Sequence, residues 1–292
     1  MLKQYKLLFP EKFSDYKLID SGNGQKLEQF GKYTVIRPEP QAIWKPQLSN
    51  FEWESVAHAR YEAEDAQKGK WKKLKDMNNP WKIKYRGSNF TLFFELRFTQ
   101  FRHLGIFPEQ SSHWEFIWEQ SNRLKKPKVL NLFAYTGGAS MAARAAGADV
   151  IHCEAMRQVV AWAKHNMQIS KLEDVRWLVE DALKFVKREE KRGHKYNGII
   201  MDPPSFGIGP SGERWKLHDK LPELIKATCS LLIPDESFMV VNTYSHHQSP
   251  LILKGLVESN LGRLKHFELG ELAINSGQAQ VLPSGSYLRF VY

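Results

Sequence analysis

The sequence predicts an α/β chain, a parallel sheet with helices on both faces, with a smaller β-containing domain ahead of it. Three observations predict it. Beyond Pro127, short apolar runs alternate with segments of helical length. Before Pro127 the chain is rich in Trp, Lys and Pro, and its strand candidates are joined by turns. The first apolar run after Pro127 ends in a Gly-Gly turn that opens a helix candidate, as ligand-binding α/β sheets do at a strand's carboxyl end.

In the first part, Tyr33–Arg37 and Phe90–Phe98 read as strands, with Gly22-Asn-Gly24 and Arg86-Gly-Ser88 as turns. Between them lies Lys68-Gly-Lys-Trp-Lys-Lys-Leu-Lys75, followed by Trp81, Lys82, Lys84 and Arg86. Lys72 and its neighbours could hold phosphates while Trp71 and Trp81 stack on bases. A solvated helix face with Trp packed beneath it would read the same way. In the second part the strand candidates are Val129–Ala134, Val150–Cys153, Val175–Val179, Gly198–Met201 and Phe238–Asn242. Ser140–Ala146, Val159–Met167, Ala182–Arg192 and Lys220–Leu232 read as the helices between them. A helix candidate at Leu251–Leu261 precedes two last strands, Lys265–Leu272 and Tyr287–Tyr292, which suit a hairpin at the sheet edge.

Composition excludes several classes. The 292 residues include nine Trp, ten Tyr and seventeen Phe, ample apolar surface for a core rather than disorder. No apolar run approaches the roughly 18–20 residues of a membrane span. The first ten residues lack the apolar core and cleavage site of a secretory signal. Two cysteines, Cys153 and Cys229, cannot build a disulfide framework or a cysteine-rich zinc site, and a cytoplasmic protein with no metal is expected. The net charge of +10 favours polyanionic partners.

The strongest local pattern is Val129-Leu-Asn-Leu-Phe-Ala-Tyr-Thr-Gly-Gly-Ala-Ser140, a buried strand running through a glycine turn into a helix. It lacks the spacing of a dinucleotide fingerprint and of a P-loop. A tight strand–helix connection would look alike, so the next strand ends carry the weight. Glu154 closes the second strand, where a carboxylate can accept from two ribose hydroxyls. Asp181 follows the third, where it can accept from an adenine amino group while Ala182 leaves room for the ring. Either acid alone would be an ordinary helix cap. After the fourth strand comes Asp202-Pro-Pro-Ser-Phe-Gly207. Its prolines remove amide donors and fix φ. Asp202 and the Pro203 carbonyl can accept from a substrate nitrogen, and Phe206 can stack on a flat ring.

Together these residues resemble the class I S-adenosylmethionine-dependent methyltransferases. More narrowly they resemble the bacterial group of large-subunit rRNA cytosine-C5 and guanine-N7 enzymes. Phe107-Pro-Glu-Gln110, Asn131–Gly137 and Asp202–Gly207 with Gly212-Glu213 carry the narrower match. The resemblance implies a Rossmann-like seven-stranded sheet with its last strand inserted antiparallel. It also implies binding of S-adenosyl-L-methionine, with S-adenosyl-L-homocysteine as product. Gln110 and the Tyr135, Thr136, Gly137 and Gly138 backbone would lie near the methionine part. Asn131, Phe133, Glu154, Ala155, Asp181, Ala182 and Asp202 would complete the cofactor set. The similarity begins near Phe101. Residues 101–292 are therefore read as the methyltransferase domain and 1–100 as a basic, Trp-rich substrate-recognition domain. The first part does not resemble the RNA-binding domain usually fused to the cytosine enzymes.

Cytosine-C5 methylation needs a thiolate that adds at C6. One family position for that cysteine holds Ser205, and the other, within Asn242-Thr-Tyr-Ser245, holds none. Cys229 sits in an apolar helix pattern and Cys153 in a strand, so both read as core. The expectation is direct transfer to a base nitrogen, with Asp202, Pro203 and Phe206 catalytic and RNA, rRNA or a ribosomal particle, as partner. A protein or small-molecule acceptor, or a non-catalytic RNA-binding protein of the same fold, are the competing readings. His246-His247 reads as a possible substrate contact rather than a metal site.

Overall fold

The computed structural model describes residues 5–65, 68–244, 249–276 and 280–292. The chain forms two compact units, and each takes more than one stretch of sequence. One comprises Met1–Leu8, Ser112–Leu272 and Ser284–Tyr292; the other comprises Phe9–Ser111 and Ala273–Pro283. The sequence expects a single cut after residue 100. Strand pairing explains the difference, because the first strand, β1 (Tyr5–Leu8), pairs in parallel with a strand near the end of the chain.

The unit of Phe9–Ser111 is built on a five-stranded sheet in the order β2-β3-β4-β5-β6. These strands are β2 (Tyr16–Gly22), β3 (Gln25–Phe30), β4 (Tyr33–Pro38), β5 (Ala59–Ala63) and β6 (Gly69–Lys73). Gly22 pairs with Gln25, so Asn23-Gly24 is a two-residue hairpin turn. Both turn residues have positive φ, 51° and 72°, which suits the right-handed twist of the strands it joins. Helix α1 (Asn50–Val56) starts in a capping box of Ser49 and Glu52. Its Trp53 packs with Ala57 on Leu27 and Ile36. A separate hairpin, β7 (Trp81–Arg86) with β8 (Thr91–Leu96), completes this unit's strands. The basic segment Lys68–Lys75 is therefore mainly strand, not a helix face.

After β1 the larger unit continues with α2 (Ser111–Asn122), all but the first residue of which belongs to it, and then alternates. In order come β9 (Lys128–Leu132), α3 (Gly138–Ala145), β10 (Asp149–Glu154), α4 (Arg157–Ile169), β11 (Val175–Val179) and α5 (Ala182–Lys191). Then follow β12 (Gly198–Met201), a short ribbon of β13 (Phe206–Ile208) and β14 (Arg214–Lys216), α6 (Leu217–Cys229), β15 (Phe238–Thr243) and α7 (Pro250–Leu261). Two long strands, β16 (His266–Asn275) and β17 (Val281–Val291), end the chain. The sheet order is β1-β16-β17-β15-β12-β9-β10-β11. Its last seven strands are the expected set, with β17 antiparallel to β15. The eighth strand, β1, is an addition that the sequence reading did not contain.

Strands covered by helices on both faces read as apolar runs. Leu130, Leu132, Ile199, Met201, Met239 and Val241 are accordingly buried in one core with Phe185, Leu224 and Ile225 from the helices. From β9 the chain steps outward to β10 and β11, then resumes on the other side at β12. The carboxyl ends of β9 and β12 therefore flank the switch point, where open α/β sheets bind ligands. Among the described residues no helix is long and apolar enough to cross a membrane.

Candidate active site

The segment after β9 leaves the sheet through left-handed backbone. Phe133, Tyr135 and Gly137 have φ of 53°, 48° and 93°. Positive φ is uncommon outside glycine and costs free energy in bulky residues such as Phe and Tyr, so it persists only where surrounding contacts over-determine it. Here those contacts are visible. The Tyr135 N–H donates to Glu154 Oε2 at 3.1 Å. Asn166 Nδ2 donates to the Thr136 carbonyl at 3.0 Å. Beneath the loop, buried Asn131 donates from Nδ2 to Ser140 Oγ at 2.9 Å, and Ser140 Oγ lies 3.0 Å from His152 Nδ1. Burial pushes His152 down to about 3, so the imidazole is neutral.

The two glycines answer to the protein's own neighbours. A Cβ on Gly137 would lie 3.3 Å from Ala163 Cβ, and one on Gly138 only 2.5 Å from Trp114 Cζ2. Packing against α4 and α2 thus accounts for glycine at both positions. Asn131 likewise supports the loop from below, at 3% exposure.

Glu154 ends β10 and, among the described residues, is held by main chain alone. Besides Tyr135, the Met156 N–H donates to its Oε1 at 3.0 Å. Burial raises its carboxyl above the ordinary value, against the lowering effect of the Met156, Tyr135 and Ala155 amides. Each carboxylate oxygen accepts more than one hydrogen bond, so capacity remains for a diol. Asp181 caps α5, accepting the Lys184 N–H at 2.8 Å on Oδ1. That is the ordinary capping role, and Oδ2 is left for another donor. Ala182 begins the helix and is buried.

Asp202 follows β12 and receives Asn242 Nδ2, from the end of β15, at 2.9 Å on Oδ1. Asn242 is buried, and among the described residues its Oδ1 has no hydrogen-bond partner. Buried acceptors are normally paired, so this atom marks a place for a donor. Pro203 is buried, while Phe206 is 75% exposed. Trp215 Nε1 donates to the Pro204 carbonyl at 2.6 Å, and its ring packs on Phe133 at 4.9 Å between centroids. Strand order sets the line of the site: Asp202, then the Phe133–Gly137 loop, then Glu154, then Asp181. Neighbouring strands lie about 4.8 Å apart, so Asp202 and Glu154 are separated by about 10 Å along this edge.

Sequence reasoning placed Glu154, Asp181 and Asp202 here but not Asn242 or Trp215. A lone amide closing the apolar run of β15 was the signal for Asn242. The remaining expected residues lie in the other unit. Gln110 ends a 3-10 turn, Pro108–Gln110. Trp81 is a core residue and not a stacking surface: it is 7% exposed, donates Nε1 to the Phe30 carbonyl at 3.3 Å, and meets Tyr33 and Phe98 edge-on. Trp71 has one face stacked on Phe98 at 4.6 Å and its Nε1 on the Thr99 carbonyl. Lys72 is exposed, 3.8 Å from Glu62. Ser245, His246 and His247 lie outside the described residues.

The family model of S-adenosylmethionine-dependent methyltransferases matches residues 53–244. The chain belongs to this family. An Agrobacterium tumefaciens SAM-dependent methyltransferase of known structure is 38% identical, with a TM-score of 0.90, and the match covers 98% of this chain and 93% of that one. The Ribosomal RNA large subunit methyltransferase I of Tolumonas auensis is 36% identical over 28% of this chain and 21% of its own length. The Ribosomal RNA large subunit methyltransferase K/L of Pseudoalteromonas atlantica is 27% identical over 74% of this chain and 32% of its own. This methyltransferase thus spans a fifth to a third of the curated relatives it matches. Its cofactor is S-adenosylmethionine, and the edge just described fits that group: acceptors for a diol and for amines, and an orphaned acceptor on Asn242.

Proposed function

We propose that this methyltransferase methylates a base nitrogen in RNA, with ribosomal RNA or a ribosomal particle as substrate, by direct transfer without a cysteine nucleophile. The observation that carries the reading is Asp202, fixed by Asn242, next to an exposed Phe206. A carboxylate and a rigid proline carbonyl suit an acceptor amine, and a bare aromatic ring suits a flat base.

When bound, S-adenosylmethionine supplies an electrophilic methyl group and leaves as a neutral thioether. Glu154 would hold its ribose, Asp181 and Ala182 its adenine, and Phe133, Tyr135, Thr136, Gly137 and Gly138 its methionine side. Asp202 accepts the hydrogen of the attacking nitrogen and aims its lone pair. Asn242 keeps Asp202 in one orientation, and Phe206 stacks on the ring. Positioning of this kind is most of what such a reaction asks of a protein.

Both thiols are free and buried, and burial pushes Cys229 up to about 12 and Cys153 well up from the ordinary value. Neither is available as a thiolate, which supports direct transfer and a reducing, cytoplasmic setting. The Phe9–Ser111 unit is read as a recognition domain through Lys72 and the outer face of Trp71.

The test is transfer of a labelled methyl group from S-adenosylmethionine into total RNA from a strain lacking the gene. Wild type is expected to label RNA, and Asp202→Ala to lose at least about 100-fold in rate while keeping cofactor affinity within a few-fold. Label that enters protein, or no label despite measured cofactor binding with both RNA and ribosomal particles as substrate, would overturn the RNA reading.

A further inference from the structure

The ribbon that follows the Asp-Pro-Pro turn carries, beside Phe206, residues not used above. Its register pairs Phe206 with Lys216, Gly207 with Trp215 and Ile208 with Arg214. Residues opposite one another in an antiparallel pair share a face, and faces alternate along a strand. Gly207 and buried Trp215 therefore form the inner face. Phe206, Ile208, Arg214 and Lys216 form the outer one, and all four are exposed.

The inner face is anchored to the active-site loops. Trp215 bonds the Pro204 carbonyl and packs on Phe133. The Leu217 N–H donates to the Ser205 carbonyl at 3.0 Å. At the ribbon's tip, the Gly209 N–H donates to the Glu213 carbonyl at 2.8 Å, and Glu213 Oε2 accepts the Ser211 N–H at 2.9 Å. The Glu213 carboxylate also pairs with Lys184 on α5. A two-stranded ribbon alone is marginal, and these ties hold it in place.

The outer face is unusual in its bareness. Phe206 and Ile208 are 75% and 74% exposed. Among the described residues neither Arg214 nor Lys216 has an acidic partner. The Trp-rich segment differs: Lys70 pairs with Glu64, Lys72 lies by Glu62, and Lys73 and Lys75 donate to the Met77 and Ser55 carbonyls. Arg214 and Lys216 stand two residues apart on one face, about 7 Å by strand geometry, within reach of neighbouring backbone phosphates.

We propose that the outer face of the β13–β14 ribbon seats the single-stranded RNA flanking the target base, with Arg214 and Lys216 on phosphates and Ile208 against a flanking nucleotide. The proposal rests on the RNA reading above and names where the strand lies. Trp215 is then a positioning residue: through the Pro204 carbonyl and Phe133 it fixes the strand relative to Asp202.

The test measures binding of a fluorescein-labelled single-stranded oligoribonucleotide to the full chain across a salt series. The Arg214→Gln/Lys216→Gln double variant is expected to bind about tenfold more weakly, with a salt slope shallower by about 1.4 for two lost phosphate contacts. Ile208→Ser is expected to weaken binding a few-fold with the slope unchanged. S-adenosylmethionine affinity should stay within about twofold in every variant, since none touches Glu154 or Asp181. A double variant with wild-type affinity and slope overturns the ribbon's role and leaves the RNA reading standing. A wild-type chain that binds no RNA at low salt, or that labels protein instead, overturns both.

Discussion

Two carboxylates of the large unit lie toward opposite ends of its sheet and are held in opposite ways. Glu189, on α5, faces a cavity of about 170 Å³ that includes Lys128 and Asp149, the first residues of β9 and β10. It is 1% exposed and receives Tyr196 OH at 2.5 Å, His194 Nδ1 at 2.7 Å and Arg192 at 3.5 Å. These donors outweigh burial and hold its carboxyl below the ordinary range. Glu154, at the carboxyl end of β10, receives only backbone N–H groups among the described residues, and burial wins. A carboxylate saturated by side chains is framework. One in a half-buried place that has, among the described residues, no cation beside it still lacks donors, and a ligand can bring them.

Breaking the second carboxylate should have the larger effect. Glu154→Ala is expected to raise the dissociation constant of S-adenosylmethionine by about 100-fold, the order expected for two hydrogen bonds to a charged group at about 1.5 kcal/mol each. Calorimetric titration measures it, and an unchanged constant would make Glu154 framework too. The same group sets a pH dependence. Its ionised form is the acceptor, so cofactor affinity should fall as pH drops through its raised value, above the ordinary 4.5. Between those two values unfolding releases a proton, so Glu154 favours folding more as pH falls.

Glu189 has the reverse sign. Its lowered value contributes stability above the ordinary 4.5 that is lost as pH falls through the folded value. Glu189→Gln should cost about 1–3 kcal/mol at neutral pH, because it removes the charged acceptor of buried Tyr196, and the gap should narrow in acid. Urea unfolding at two pH values reads this, with cofactor affinity unmoved. The smallest effect sharpens the contrast within one strand. Cys153, next to Glu154, is fully buried in the core, so Cys153→Ala and Cys229→Ala should each leave the transfer rate within about twofold. Loss of transfer in a folded Cys153→Ala protein would restore a covalent route.

What was legible in the sequence follows the same division. Strands buried on both faces read as apolar runs, so Val129–Ala134 and Gly198–Met201 predicted β9 and β12 closely. Glu154 and Asp202 stood out as acids where such runs end. Asn242 and Trp215 did not, because their roles exist only through spatial neighbours, Asp202 and the Pro204 carbonyl. Trp81 misled for a related reason. Lysines beside it suggest a surface, but strand alternation turns Trp81, Ile83 and Tyr85 inward while Lys82 and Arg86 face solvent. β1 was missed because three of its four residues are exposed, leaving no burial pattern to read.

That edge strand has a consequence for how the protein is made. Tyr5 pairs with Leu269, so the first strand is synthesised long before its partner. At about 5–20 residues per second, it leaves the ribosome tens of seconds before β16 exists. By then β9 to β12 and β15 have been made, while β17, which lies between β16 and β15, follows last. Closure of the outer edge is thus a late event of biogenesis, and a substitution within β1 would act on that step rather than on the methyl-transfer site.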